Sequence, residues 1–204
     1  MSSFDSPKRP RLARGFALAL ALTSSACVDP AGRLDDFFEA SEPFRLSVVI
    51  GPCQGRSDIS GEFLLAISTV IRPPNPILFS ATFAIDKGAE PWTIDVTMTP
   101  LAVEGRAPVG EALHATSTVS AEGTFDLDFG DVFIPGAANS IILGVDATAK
   151  LTMSGCTNGF GFSCGTVDGG IVSPATLPLV GSTYGAVGVD GDLATVEPVG
   201  KCPE

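Results

Sequence analysis

The stretch WTIDVTMT, residues 92–99, decides the fold class. Apolar residues occupy every second position, and threonine or aspartate fills the positions between them. This alternation is typical of a β-strand that buries one face in a core and exposes the other. The stretches ILFSATFAID (77–86) and TFDLDFG (124–130) have the same period. All three segments are therefore predicted to be strands.

Seven further segments have strand composition and are separated by turn signals rich in Gly, Pro and Asp. They cover residues 44–50, 61–70, 112–120, 140–146, 149–155, 165–172 and 179–189. About ten strands without intervening helices are typical of an all-β domain, either a single antiparallel β-barrel or a β-sandwich. We place this domain at residues 44–204. Its longest break, residues 103–110, is predicted to be a loop.

Residues 1–26 have the pattern of a cleaved signal peptide. Four basic residues precede an apolar run, FALALAL (16–22), and small residues continue to Ala26. The run is far shorter than the roughly 18 residues that a membrane-spanning helix needs. We therefore predict that the chain is exported and cut before Cys27.

Cys27 has the position of the lipid-modified cysteine in a bacterial lipobox, which the sequence resembles. Position 24 differs from that pattern, because it holds Ser where Leu is usual. Lipidation of Cys27 would leave four of the five cysteines for disulfides, whereas ordinary secretion would leave one odd thiol. We predict a lipid anchor at Cys27 and a tether over residues 27–43 with a short helix. By resemblance to sorting rules in enteric bacteria, Val28 after the cysteine favours the outer membrane.

The remaining cysteines are predicted to form two structural disulfides in an oxidising compartment. They are Cys53, Cys156, Cys164 and Cys202. Four cysteines allow three pairings. The sequence favours Cys156 with Cys164, because the Gly-rich segment between them can turn back on itself. Cys53 would then pair with Cys202.

The charge of the mature chain restricts its partners. Removal of residues 1–26 takes away four basic side chains and one acid, which leaves 8 Lys+Arg and 22 Asp+Glu, a net charge of −14. A strongly acidic protein is repelled by nucleic acid and by anionic lipid surfaces. We therefore predict no nucleic-acid partner, and we attribute membrane attachment to the lipid on Cys27.

The segment GFSCG (161–165) matches the Gly-x-Ser-x-Gly pattern of a hydrolase nucleophile elbow. That elbow requires a parallel α/β sheet and a histidine after the serine, whereas the only histidine is His114. The order His114, Asp146, Ser163 suits a chymotrypsin-like arrangement, but the flanking motifs of that family are missing. We predict no catalytic site and keep a serine hydrolase at Ser163 as the least favoured alternative.

Metal ligands are sparse in this sequence. One histidine and the lack of a C-x-x-C motif give no recognisable zinc site. Two aspartate groups could offer oxygen ligands to calcium, Asp126, Asp128 and Asp131 in one and Asp190 and Asp192 in the other. Neither has EF-hand spacing, and alternating aspartates are typical of a solvent-exposed strand face. We predict no metal and no cofactor.

Three stretches carry a resemblance to other proteins. They are CVDPAGRLDDFFE (27–39), SGEFLLAIS (60–68) and CGTVDGGIVSPATLPLVGSTYGAV (164–187). With them, the chain resembles an uncharacterised family of predicted secreted lipoproteins from myxobacteria. The resemblance implies export and lipid anchoring, and it implies no activity.

The expected function is non-catalytic binding of a small apolar ligand or a surface partner by a lipid-anchored cell-envelope domain. The high apolar content could line a barrel cavity or equally fill a dry core. A structural or interaction lipoprotein of the outer membrane, with a filled core, is the alternative. A membrane-spanning barrel is disfavoured by the cysteines and by the C-terminal sequence KCPE.

Overall fold

The computed structural model describes residue 53 and residues 55–88, 90–157 and 161–203. Four predictions lie outside these residues, namely the signal peptide, the lipid on Cys27, the tether over 27–43 and the strand 44–50. In the part that is described, no helix is long and apolar enough to cross a membrane.

The described part of the chain contains nine β-strands and no α-helix. They are β1 (Gly61–Ser68), β2 (Ile77–Asp86), β3 (Trp92–Pro100), β4 (Leu113–Val119), β5 (Thr124–Ile134), β6 (Ala147–Cys156), β7 (Phe162–Ser173), β8 (Leu177–Pro178) and β9 (Ser182–Gly188). One 3-10 turn, Leu193–Thr195, follows β9. The three strands predicted from strict alternation are β2, β3 and β5.

All nine strands belong to one antiparallel sheet. Eight of them follow the order β4-β3-β2-β1-β9-β7-β6-β5, and β8 pairs with β7 beside this path. A tight turn joins the two edge strands, β4 and β5, and in it the Ser120 amide donates to the Thr124 carbonyl at 2.9 Å. The sheet is nearly closed into a barrel. The all-β prediction is therefore confirmed, and the barrel is the architecture found.

Inward-facing side chains form one continuous hydrophobic cluster to which all eight strands of the main path contribute. In β3, the side chains of Ile94, Val96 and Met98 are fully buried. The largest other fully buried side chains that face the interior are Tyr184, Phe79, Phe83, Leu65, Leu127 and Met153. Each such side chain stabilises the fold by about 1.5–3 kcal/mol relative to an exposed one. The interior is thus occupied by the protein's own side chains.

The two disulfides correct the predicted pairing. Cys53 is bonded to Cys156 and Cys164 to Cys202, with Cα–Cα distances of 5.6 and 5.2 Å. Cys156 and Cys164 are directly opposite each other in β6 and β7. The preceding Gly155 faces the core, so Cys156 and Cys164 face outward. Backbone hydrogen bonds of the strand ladder already join β6 to β7. Each of these two cysteines is bonded to a cysteine of a terminal segment and fixes that segment to the outer surface of the barrel.

The C-terminal segment, residues 196–203, crosses the outer face of β1 and β9. The Thr183 hydroxyl donates to the Gly200 carbonyl at 2.6 Å. Leu64 and Ala66 of β1 lie on this outer face and are fully buried. β1 is therefore covered on both sides, by the barrel core and by the C-terminal segment.

The strand predicted at residues 140–146 is wrong, because this apolar segment is a loop. The Asn139 side chain organises it: its Oδ1 accepts from the Ile141 and Ile142 amides, both at 3.0 Å, and its Nδ2 donates to the Val145 carbonyl at 2.8 Å. Gly144 adopts a φ of 76°, which glycine reaches without strain. Local side-chain bonding thus replaces the strand ladder here.

Candidate functional site

The long connections of the barrel lie at one end, which we call the loop end. They are residues 69–76 between β1 and β2, 101–112 between β3 and β4, 135–146 between β5 and β6, and 174–181 between β7 and β9, with β8 inside the last. Successive antiparallel strands reverse direction, so alternate connections share an end. The opposite end has only short connections, residues 87–91, 120–123 and 157–161.

Hydrogen bonds fasten the loops of the loop end to one another. Arg72 Nη1 donates to the carbonyls of Ser140 and Ile141 at 3.1 and 3.3 Å. The Ser140 hydroxyl donates to the Asn75 carbonyl at 2.8 Å. Two further bonds run from Val103 N to Ala137 O at 2.8 Å and from Val70 N to Ser182 Oγ at 3.1 Å. Because the loops hold one another, the loop end is an organised surface.

Large apolar side chains are exposed at the loop end. In the described chain, nine large apolar residues are exposed, and all but Val199 lie in these loops or on the adjoining strand ends: Val70, Ile71, Val103, Phe133, Leu143, Val145, Val172 and Val180. Leu143 is 61% and Val180 is 50% exposed. Scattered apolar residues are ordinary on a protein surface, whereas their concentration marks a site of interaction.

The net charge of this surface is low. The described residues carry 16 acidic and six basic side chains, yet the four loops hold only five of these charges, on Arg72, Glu104, Arg106, Glu111 and Asp146. Arg106 Nη1 donates to backbone carbonyls of the 3-10 turn region, including Val196 O at 2.6 Å. Asp146 Oδ1 accepts from the Gly136 amide at 2.7 Å. The loop end therefore has two bases and three acids, a net charge of −1 with Glu104 and Glu111 exposed, whereas the remaining described residues have 13 acids and four bases, a net charge of −9.

The residues weighed for catalysis are not brought together. Ser163 is buried in the core, where its hydroxyl donates to the Cys156 carbonyl at 3.0 Å and lies 3.2 Å from the Tyr184 hydroxyl. Burial raises the pKa of Tyr184. His114 projects from the outer face of β4, with Nε2 at 2.8 Å from Asp95 Oδ2, and its side chain is 58% exposed. Ser163 and His114 therefore do not form a catalytic pair.

The aspartates weighed for calcium also remain apart. No three His, Cys, Asp or Glu side chains in the described ranges converge on a common point for a metal. Asp128 Oδ1 accepts from the Gly130 amide at 2.8 Å, and Asp131 pairs with Lys150 at 3.2 Å. Asp192 caps the 3-10 turn by accepting from the Ala194 amide at 2.9 Å. These aspartates therefore form hydrogen bonds and an ion pair within the outer strand faces and turns.

Sequence reasoning missed the loop end, because its apolar residues come from four separate segments. One signal is present in the sequence: the run IILGV (141–145) lacks the alternating polar residues that are typical of a half-buried strand. No protein-family model matches this chain, and no curated protein or solved structure matches it either.

Proposed function

We propose that this protein is a non-catalytic binding domain of the cell envelope, anchored by a lipid on Cys27, which engages a surface partner through the loop end. One observation carries the proposal: nearly all exposed large apolar side chains of the described residues gather at one organised end of an acidic barrel, where the net charge is low. Exposed apolar surface in water is unfavourable unless a partner covers it.

The packing of the interior favours a surface partner over a small apolar ligand inside the barrel. Binding inside requires a cavity of about 300–1,000 Å³ for a drug-sized molecule. Here large side chains occupy the interior: Phe63 of β1 stacks on Phe83 of the neighbouring strand β2 with ring centroids 4.8 Å apart, and the Tyr184 hydroxyl of β9 reaches across β7 to Gly155 of β6. A ligand would have to displace such contacts.

Two observations support an exported, anchored protein. The N-terminal sequence has a signal-peptide pattern that ends at Cys27, and the four remaining cysteines form two disulfides, which persist in oxidising compartments. The outer membrane is the proposed location, because Val28 follows the cysteine. Labelling cells with a fatty-acid analogue tests the anchor: the wild-type chain should take up label and Cys27→Ser should not. Equal labelling of both would contradict lipidation at this residue.

Site-specific photo-crosslinking in the producing cells tests the binding surface. A photoreactive amino acid is placed at Leu143 in the loop end, with a matched variant at Thr82, which is exposed on the outer face of β2. We expect a discrete crosslinked product from position 143 and none from position 82. No product from position 143, or the same products from both positions, would refute the loop end as the binding surface.

A further inference from the structure

We propose that the partner of the loop end is a second copy of this chain, so that two barrels associate end to end. The proposal rests on the proposed function, since it names the partner of the same surface. It is carried by the composition of the loop end, by its charge relative to the remainder of the domain and by its extent.

The exposed side chains are of the kind found in homodimer interfaces. Such interfaces are more apolar than those of non-obligate complexes, and they depend less on polar contacts. The chain has one Trp and one Tyr, Trp92 at the opposite end and Tyr184 in the core. Arg72 and Arg106 are engaged with backbone carbonyls. Aliphatic residues therefore supply the contact surface.

The charge distribution favours self-association through this end alone. Copies of an acidic protein repel each other, so a contact between copies forms where the acidic side chains are fewest. Asp126 and Asp128 lie on the outer face of β5, towards the end opposite the loops, and Asp168 lies on the outer face of β7. End-to-end association keeps these faces apart, whereas side-by-side contact would bring them together.

A lipid bilayer fits the loop end less well. Segments that insert into the membrane interface are rich in Lys or Arg and carry Trp or Phe among their apolar residues. The four loops contain no Lys, Trp or Tyr, the exposed Phe133 on the adjoining end of β5 is their one aromatic neighbour among the exposed large apolar residues, and their two arginines already bind carbonyl groups. An anionic surface would also repel the acidic barrel.

The loop end is large enough for a stable dimer. One side of a standard interface has about 20–30 residues. The four loops have 40 residues, of which 24 are exposed, and hydrogen bonds join three of them, residues 69–76, 101–112 and 135–146. A two-fold axis through this end would place the same loops of both copies in one isologous interface.

Sedimentation velocity on the mature chain with Cys27→Ser, which lacks only the lipid, tests the proposal. We expect a dimer at tens of micromolar protein. Leu143→Asp combined with Ile71→Asp should raise the dissociation constant at least 100-fold, because each places a charge in an apolar contact. Thr82→Asp adds one negative charge on the outer face of β2 and should leave the dimer intact. The single variant Leu143→Asp is its matched counterpart at the loop end. Circular dichroism and the disulfide mass check that each variant is folded.

The outcomes separate this proposal from the proposed function. A monomer at all concentrations, or a dimer unaffected by the loop-end substitutions, would overturn the second copy as partner. If the chain is monomeric but position 143 crosslinks to another protein in cells, only the identity of the partner fails. Flotation of the monomer with phosphatidylcholine vesicles would likewise replace the second copy with lipid. A monomer without any crosslink from position 143 would overturn both proposals.

Discussion

Tyr184 crosses two glycines inside the barrel. It is opposite Gly165 in β7, and Gly165 is opposite Gly155 in β6. A Cβ at Gly155 would overlap the Tyr184 hydroxyl, so the aromatic ring occupies space that side chains of β6 and β7 would otherwise fill. Glycine weakens a strand by lacking packing surface, and a neighbouring aromatic residue that covers it restores that contact. The two glycines and Tyr184 therefore act as one packing unit.

We expect Gly155→Ala to lower the free energy of unfolding by about 2–3 kcal/mol, because the added methyl group overpacks the core. Urea unfolding measures the change, and Ser154→Ala, on the outward-facing neighbour, should be nearly neutral. Tyr184→Phe removes the oxygen that the new methyl group meets. In combination with Gly155→Ala it should recover part of the loss, which a double-mutant cycle quantifies. A neutral Gly155→Ala would show that the ring does not pack as described.

Asp58 makes a pH-dependent contribution to the stability of the fold. The Lys87 ammonium group lies 2.6 Å from Asp58 Oδ2, and Lys87 together with the Ser60 hydroxyl and amide lowers the pKa of Asp58 to about 2. A lowered pKa stabilises the fold above the unfolded value of roughly 4, and the contribution is lost as the pH falls towards 2.

Asp58→Asn should therefore destabilise the protein at pH 7 and have a much smaller effect near pH 2, where Asp58 is about half protonated. The exposed position limits the loss at pH 7 to below about 1 kcal/mol. Unfolding of both proteins by urea at pH 7, 4 and 2 measures the difference. A loss that is the same at pH 7 and pH 2 would mean that the charge on Asp58 does not contribute.

At the scale of elements, strands with a strict alternation of apolar and polar residues could be predicted, because this alternation places the apolar side chains on one face of a strand. Residues 92–99 and 124–130 place their apolar positions in the core as the pattern indicates. The segment 140–146 could not be assigned in this way, since the Asn139 side chain bonds its backbone groups. The disulfide pairing could not be predicted from the sequence either, because it depends on which terminal segments cross the outer face of the sheet.

The Cys164–Cys202 disulfide holds the C-terminal segment over β1 and β9. Replacing both cysteines with Ala should cost about 3–4 kcal/mol of stability, as expected for a bond that closes a 38-residue separation. It should also speed amide hydrogen exchange around Leu64 and Ala66, which lose their outer cover. The matched variant, with Cys53 and Cys156 replaced, should destabilise the chain without this local effect. Unchanged exchange in β1 after loss of Cys202 would contradict the covering role.

On the scale of the whole molecule, the candidate site arises from topology. Val70, Val103, Leu143 and Val180 are far apart in the sequence, and each is unremarkable alone. The meandering strand order places their four loops at the same end, and inter-loop hydrogen bonds join three of them. The sequence could predict an all-β domain, but strand order is set by long-range pairing between segments, such as β1 with β9, that local patterns do not encode.

The filled interior leads to the last prediction. Native mass spectrometry of the mature Cys27→Ser chain should give the bare polypeptide mass per subunit, four hydrogens lighter than the reduced chain because of its two disulfides. Reductant should add those four hydrogens and nothing else. Side chains already occupy the space that an apolar ligand would need, and displacing them would forfeit their own burial energy. An additional mass that is released on denaturation would show that the barrel opens to hold a ligand, and would return the function to ligand binding.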